Sequence, residues 1–169
     1  LSWGSLYAFY NKEDVKLKIR LANLNDVEAL NVLHFNLNRH RHKLQPKNFQ
    51  GKSMGEEWVK EKITEEKTNY IVLEVEGQIK GMALIEIVEI YSIPGILRYK
   101  YLQIEDFVFD TDLNLEKYGQ LLFQEIRAYG KALRLNHIQL SELANDHKKM
   151  EFFYQQDLMP VQQLLKCVI

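Results

Sequence analysis

Tyr101-Leu-Gln-Ile-Glu-Asp-Phe-Val-Phe-Asp-Thr-Asp-Leu-Asn-Leu-Glu-Lys-Tyr-Gly-Gln-Leu-Leu-Phe-Gln-Glu-Ile126 is the stretch that decides how this chain folds. Its first nine residues are mostly apolar and aromatic, in the manner of a buried strand. From Tyr118 onward the apolar residues fall at helical spacing, and a short polar turn separates the two halves. A helix N-terminus facing the end of a strand offers unpaired main-chain N–H groups and a partial positive charge, together a seat for a phosphate. Gly119, in the first turn of that helix, would let such a ligand approach the backbone closely.

At 169 residues, with 46% hydrophobic and 27% charged residues, the chain suits one domain with a sizeable core and carries no disorder signature. A formal charge of −1 and a pI near 6.6 speak against a general nucleic-acid binder. No apolar run approaches the ~18–20 residues of a membrane span. Leu1 to Asp14 lacks the basic start and apolar stretch of a signal peptide. The single cysteine, Cys167, permits no internal disulfide and fits a reducing compartment, so a cytoplasmic protein is expected.

Working outward, Val15-Lys-Leu-Lys-Ile-Arg-Leu21 alternates apolar and polar residues and reads as a strand. Asn25-Asp26 stands as a cap before a helical face of Val27, Leu30, Val32, Leu33 and Leu37. His40 to Gln50 is polar, contains Pro46, and reads as a loop. A second helix is expected from Ser53, with Glu56 completing a capping box and Trp58, Val59 and Ile63 on its apolar side. Tyr70 to Val75 and Gln78 to Ile90 form a hairpin around Glu76-Gly77. Ser92-Ile-Pro-Gly95 interrupts the chain before the strand Tyr99 to Phe109. The helix that follows carries Tyr118, Leu121, Leu122, Ile126, Tyr129 and Leu133 on one face. His137 to Leu143 is a further strand, Asp146 to Gln156 a last helix, and Leu164 to Ile169 a final strand. The strand–helix–strand unit from Tyr99 to Leu143 places its strands parallel through a right-handed crossover, and the meander before it is antiparallel. An α/β (α+β) domain follows, with a mixed central sheet and helices on both faces over residues 15–169. Residues 1–14, with Trp3, Tyr7, Phe9 and Tyr10 at no clear period, form an aromatic N-terminal arm.

In this order the elements from Lys16 onward resemble the GNAT (GCN5-related N-acetyltransferase) family. Arg20-x-Ala22-x-x-x-Asp26 is similar to the family's opening strand and first helix start. The hairpin with Gly77 and Gly81 matches its second and third strands, Ile104-Glu-Asp-Phe-Val-Phe109 its central fourth strand, and Phe153-Tyr154 an aromatic pair late in its last helix. The resemblance implies that the fourth strand and its parallel neighbour, the fifth, splay apart and that acetyl-CoA is the co-substrate. Its pantetheine arm would add to the opening as an extra strand does, on the main chain of Phe107, Val108 and Phe109. Its pyrophosphate would rest on Asn114-Leu115-Glu116-Lys117-Tyr118-Gly119-Gln120. There only Gly119 keeps the family's pattern: Asn114 stands for the usual Arg or Gln, and Lys117 for the central glycine. The Lys117 side chain either crowds the phosphates or adds a positive charge to them. Counting back from Tyr154, His147 falls where the family carries an asparagine against the cofactor, and Asn145 takes that place if the preceding loop is longer. Either residue serves equally as a cap of the last helix.

Acetyl transfer needs a neutral amine, a polarised thioester carbonyl and a proton for the leaving thiolate. The resemblance points to Tyr154 as the acid and to Glu105 as the group that deprotonates the amine through water or binds a cationic acceptor. Glu105 and Asp106 are neighbours on a strand and should point to opposite faces, leaving Asp106 structural. Arg39-His-Arg-His-Lys43 lacks the further ligands of a metal site and reads as a solvated loop, which in this family lies over the acceptor. Cys167 reads as a small core residue. The expected protein is an acetyl-CoA-dependent N-acetyltransferase acting on a primary amine of a small molecule or a protein, without metal, nucleic acid or membrane, and pairing into a homodimer as family members often do. A catalytically silent domain of the same fold, binding a ligand or partner, is the competing expectation, favoured by the eroded glycine turn and the aromatic arm.

Overall fold

A computed structural model describes residues 7–12, 15–91, 94–110, 113–162 and 164. Six strands form one sheet in chain order: β1 (Tyr7–Lys12), β2 (Val15–Leu21), β3 (Thr68–Val75), β4 (Gln78–Ile90), β5 (Tyr99–Phe109) and β6 (His137–Leu140). Neighbours from β1 to β5 are antiparallel, and β5 and β6 are parallel. Helices α1 (Val27–Leu44) and α2 (Glu56–Thr64) cover one face of the sheet, α3 (Gln120–Ala132) and α4 (His147–Gln155) the other. The mixed sheet with helices on both faces is the architecture that the sequence led us to expect. Part of the aromatic arm proves to be β1, laid along β2 with Tyr7 opposite Arg20. The expected final strand falls almost wholly outside the described residues, as does Cys167.

The alternation of each strand sorts the core into two layers. Ile71, Leu73, Ala83 and Ile85 pack with Leu122, Phe123 and Ile126 of α3 and Phe152 and Phe153 of α4. Tyr70, Val72, Met82 and Leu84 turn the other way, onto Leu30, Leu33 and Leu37 of α1 and Val59 of α2. With both faces covered, β3 is buried from Thr68 through Leu73. The β3–β4 turn holds Glu76 at φ 49° and Gly77 at φ 79°, the doubly left-handed geometry of a two-residue hairpin.

Two helix starts differ from the sequence reading. Asn23, not Asn25-Asp26, opens the first helical segment, its side chain accepting from the Asn25 N–H at 2.9 Å. Asp26 takes both terminal guanidinium nitrogens of Arg20, at 2.7 and 2.9 Å, and the Asn23 N–H at 2.8 Å. The Arg-x-Ala-x-x-x-Asp spacing is therefore a bidentate ion pair fastening the end of β2 to the entrance of α1. At α2 the expected Ser53 capping box is not formed: the helix starts at Glu56 after Gly55, whose φ of 91° suits glycine. The expected loop from His40 is also corrected. α1 runs on to Leu44, because Leu30, His34, Leu37 and Arg41 keep one face of the helix directed at the sheet.

β5 carries one residue too many. Leu84 lies opposite Asp106 and Ile85 opposite Ile104, so Glu105 has no counterpart on β4 and forms a bulge. Ile104 and Phe107, with two residues between them, then share the α3/α4 face. Two residues further, Phe109 lies opposite Gly81, where an added Cβ would run into its ring. Gly81→Ala is expected to lower stability by ~1–3 kcal/mol through overpacking. In a Phe109→Ala background the same change should cost far less, and urea unfolding of the four proteins of that cycle measures the difference.

Candidate functional site

The pairing of β5 with β6 begins at Tyr101 opposite His137 and ends at Ile104 opposite Leu140. Beyond that point β5 continues to Phe109 without β6 beside it, and the two strands part. The Asp110 N–H donates to the Lys80 carbonyl at 2.7 Å. By the two-residue alternation of an antiparallel ladder, the main-chain groups of Val108 and Asp106 then address β4, and those of Phe107 and Phe109 address the opening. Of the three strand residues expected along a cofactor, Val108 turns its main-chain groups to β4, whereas Phe107 and Phe109 turn theirs to the opening. Their side chains are held by aromatic packing: the Phe107 ring lies 5.7 Å from Phe152, 5.4 Å from Phe153 and 5.2 Å from Phe109.

The turn after β5 is built differently from a glycine cradle. Leu115–Gly119 is a π-helical turn that runs directly into α3. Asn114 caps it, accepting from the Lys117 N–H at 3.0 Å through its side chain and from the Tyr118 N–H at 3.0 Å through its carbonyl. Gly119 has ordinary right-handed helical φ of −64°. A Cβ there would sit 3.0 Å from both Leu115 and the Phe152 ring, so a side chain at this position would crowd the packing against α4. Leu115 and Tyr118 pack on the α3/α4 core. Glu116, Lys117 and Gln120 are exposed, with the Lys117 ammonium 5.4 Å from the Tyr118 ring centre.

A cavity of about 1070 Å³ lies over the α1/α2 face and reaches across the end of the β5–β6 pairing, with Arg41, Lys62, Glu86, Glu105, Asp106 and Tyr154 among its walls. The bulge corrects the expectation that Glu105 and Asp106 oppose each other. With Ile104 and Phe107 both on the α3/α4 face, both carboxylates turn to the cavity side. Partial burial, and then the negative charges of Glu86 and Asp106, hold the Glu105 carboxyl above its ordinary range; Arg41 and Lys62 pull the other way. Asp106 is anchored from α1: Arg41 pairs with its Oδ1 at 2.7 Å, and the His34 Nδ1 edge stands 3.4 Å from its Oδ2. The other ring nitrogen of His34, Nε2, lies 2.9 Å from the Tyr70 hydroxyl. Burial lowers His34 to about 4 against the pull of Asp106, so the imidazole is neutral; with the Nδ1 proton set toward the Asp106 carboxylate, Nε2 is the nitrogen that accepts the Tyr70 O–H. Burial, with Asp106 next, pushes the Tyr70 phenol well above its usual value.

Tyr154 is exposed on α4 and borders the same cavity as Glu105. The head of α4 is tied to the tail of α1. His40 Nε2 lies 2.6 Å from Asp146, the Asn145 amide donates to the Leu44 carbonyl at 3.1 Å, and Gln45 donates to Asn145 at 3.3 Å. Asp146 caps α4 by accepting from the Lys149 N–H at 3.3 Å, a role that the sequence divided between Asn145 and His147. His147 is exposed in the first turn. Sequence reasoning missed Arg41, His34, Tyr70 and Glu86 as parts of one site. For the first two a signal existed: they continue the apolar spacing of α1 as polar residues in core positions. Among the described residues no group of three or more His, Cys, Asp or Glu converges as a metal site, and no helix is long and apolar enough to cross a membrane.

Two expectations concern pH. His34 is depressed in the folded state, so its contribution is fully present above pH ~6.5 and is lost as pH falls toward 4. The stability difference between the wild type and His34→Gln, followed by urea unfolding, should shrink by roughly 3 kcal/mol over that window. Glu105 is raised, which has the opposite sign: its ionisation weakens the fold as pH rises through its titration. Glu105→Gln should raise Tm at pH 7 and lose that advantage below pH ~4, where glutamate is protonated in both states.

No family model and no curated protein sequence matches the chain. Solved structures do. A tetramutant of the BH1408 protein from Bacillus halodurans is 21% identical with a TM-score of 0.85, over 89% of this chain and 99% of that one. The aminoglycoside acetyltransferase meta-AAC0020 from an uncultured soil metagenomic sample is 16% identical with a TM-score of 0.68, over 90% and 95%. The aminoglycoside N-acetyltransferase AAC(6')-Iy, in complex with CoA, is 11% identical with a TM-score of 0.69, over 95% and 99%. At these identities the likeness establishes the fold, which this chain shares with aminoglycoside acetyltransferases.

Proposed function

We propose that the chain is an N-acetyltransferase that moves the acetyl group of acetyl-CoA directly to a primary amine of a small molecule or a protein. The observation that carries this reading is the opening beside β5: Phe107 and Phe109 turn main-chain groups to it, and the cavity with Glu105 and Tyr154 reaches it. An arm bearing amides fits those groups as an added strand would. A fold shared with acetyltransferases, one of them in complex with CoA, supports the same conclusion.

When bound, acetyl-CoA would supply an acetyl thioester whose C–S bond breaks as the amine N–C bond forms. Glu105 takes the acceptor's proton, directly or through water, and its raised proton affinity suits a base working near neutrality. The Tyr154 hydroxyl returns a proton to the sulfur. Around the pyrophosphate the turn from Asn114 to Gln120 is the proposed support, with the Lys117 ammonium supplying the charge that the glycines of the resembling family do not. His147 is the freer of the two polar candidates at the head of α4, since the Asn145 amide is already engaged by Leu44 and Gln45.

A second reading, a silent domain that binds a ligand or partner, draws on one observation: Asn114 itself occupies the Lys117 and Tyr118 N–H groups, leaving the turn fewer donors for phosphate. Thermal unfolding with and without acetyl-CoA separates the two. At a hundredfold excess over Kd a true ligand adds about 2.7 kcal/mol, and no stabilisation at millimolar cofactor would sink the enzyme reading. Given binding, Tyr154→Phe should lower kcat by ~10²-fold or more with cofactor affinity nearly unchanged. An unchanged kcat would remove Tyr154 from the mechanism.

A further inference from the structure

Arg41 belongs to the basic run Arg39 to Lys43, which nothing in the reaction outlined above employs. We propose that Arg41 is a positioning residue of that reaction: it pins the Asp106 carboxylate at the β5 bulge and so fixes the charge beside which Glu105 works. The inference rests on the reading of Glu105 as the base. Its geometry is specific. Arg41 reaches from the last turn of α1 to the sheet and meets Asp106 Oδ1 at 2.7 Å, both side chains being largely buried, at 17% and 12% exposed. The bulge places Glu105 next in sequence and on the same face. The second oxygen of Asp106 is confined by the His34 edge at 3.4 Å, and the Arg41 guanidinium also stands 5.8 Å from the Phe49 ring centre. Asp106 therefore has little freedom to turn away from Glu105 or to gain water.

Glu105 is faced by charged and titratable groups from every element around it. α1 supplies Arg41 and His34, α2 supplies Lys62, β4 supplies Glu86, and β5 supplies Asp106 and Tyr101; Tyr154 of α4 borders the same cavity. Lys62 is already committed to Glu65 at 2.8 Å. Arg41 and Asp106 act on Glu105 with opposite signs, the cation easing its ionisation and the anion opposing it. A pair of this kind makes a prediction that loosened packing does not: removing one member moves the Glu105 titration one way, and removing the other moves it the opposite way.

The test is the titration of the Glu105 side-chain carboxyl, followed by carbon NMR on labelled full-length protein, alongside the pH–rate profile with acetyl-CoA and an amine acceptor. Asp106→Asn should move the Glu105 midpoint down, and Arg41→Gln should move it up, each by about half to one pH unit. Arg41→Lys should stay near the wild type. Should Arg41→Gln fail to fold with Asp106 left unpaired, the double variant Arg41→Gln/Asp106→Asn replaces the ion pair by a neutral one, and its midpoint should lie between those of Asp106→Asn and the wild type. The acid limb of the rate profile should follow the titration in each case. Midpoints that stay still, or that move in the same direction for both single variants, overturn the inference, as does an acid limb that ignores the titration. No turnover by the unsubstituted chain at any pH overturns the functional reading instead.

Discussion

The geometry of the site depends on one excess residue, Glu105, in the pairing of β5 with β4. A bulge bends and twists its strand, and here it does so where β6 stops following β5. The same residue breaks the alternation of side chains, so two adjacent carboxylates face one cavity while Ile104 and Phe107 both serve the opposite core layer. The opening, the acidic cavity floor and the aromatic wall thus share a single local cause. The cost of setting two carboxylates side by side is met from α1, whose last turn brings Arg41 to Asp106.

The two core layers do unequal work. The α3/α4 layer is apolar, with a cluster of aromatic rings around Phe107 against which a side chain at 119 would crowd. The α1/α2 layer accommodates polar groups. His34 and Tyr70 satisfy each other there, fully buried and uncharged. Their mutual hydrogen bond gives a sheet face that would otherwise be apolar a rigid polar edge on which Asp106 can be set.

Element order and most strand boundaries could be read from the chain because period-two and helical patterns are local properties. β4 and β5 run over the residues that their patterns indicated. The bulge could not be read, since Glu105-Asp106 looks like any polar pair in a strand until the partner's register is known. Nor could the overrun of α1 beyond His40: five consecutive basic residues resemble solvent-facing chain, and only the partner Asp106, sixty-five positions further along, gives Arg41 a reason to be helical. The β1 strand escaped because its pairing with β2, not an alternation of its own, defines it. Gly119 was legible as a glycine that lets a phosphate approach, but its tight packing was not, because Phe152, the ring a side chain there would crowd, arrives from α4.

The tie between the tail of α1 and the head of α4 joins segments 106 residues apart in the chain, through His40 and Asp146. Bringing together partners so distant in sequence is entropically late: the loop between them shortens only once the sheet has formed and α3 has crossed over it. The contacts that frame the cavity's far end are therefore among the last that folding can make and, being few and partly solvated, among the first that local opening releases. The cavity behaves as a record of completed assembly. A chain arrested before α4 docks would possess the carboxylates and the bulge, yet lack the wall that gives them a chamber.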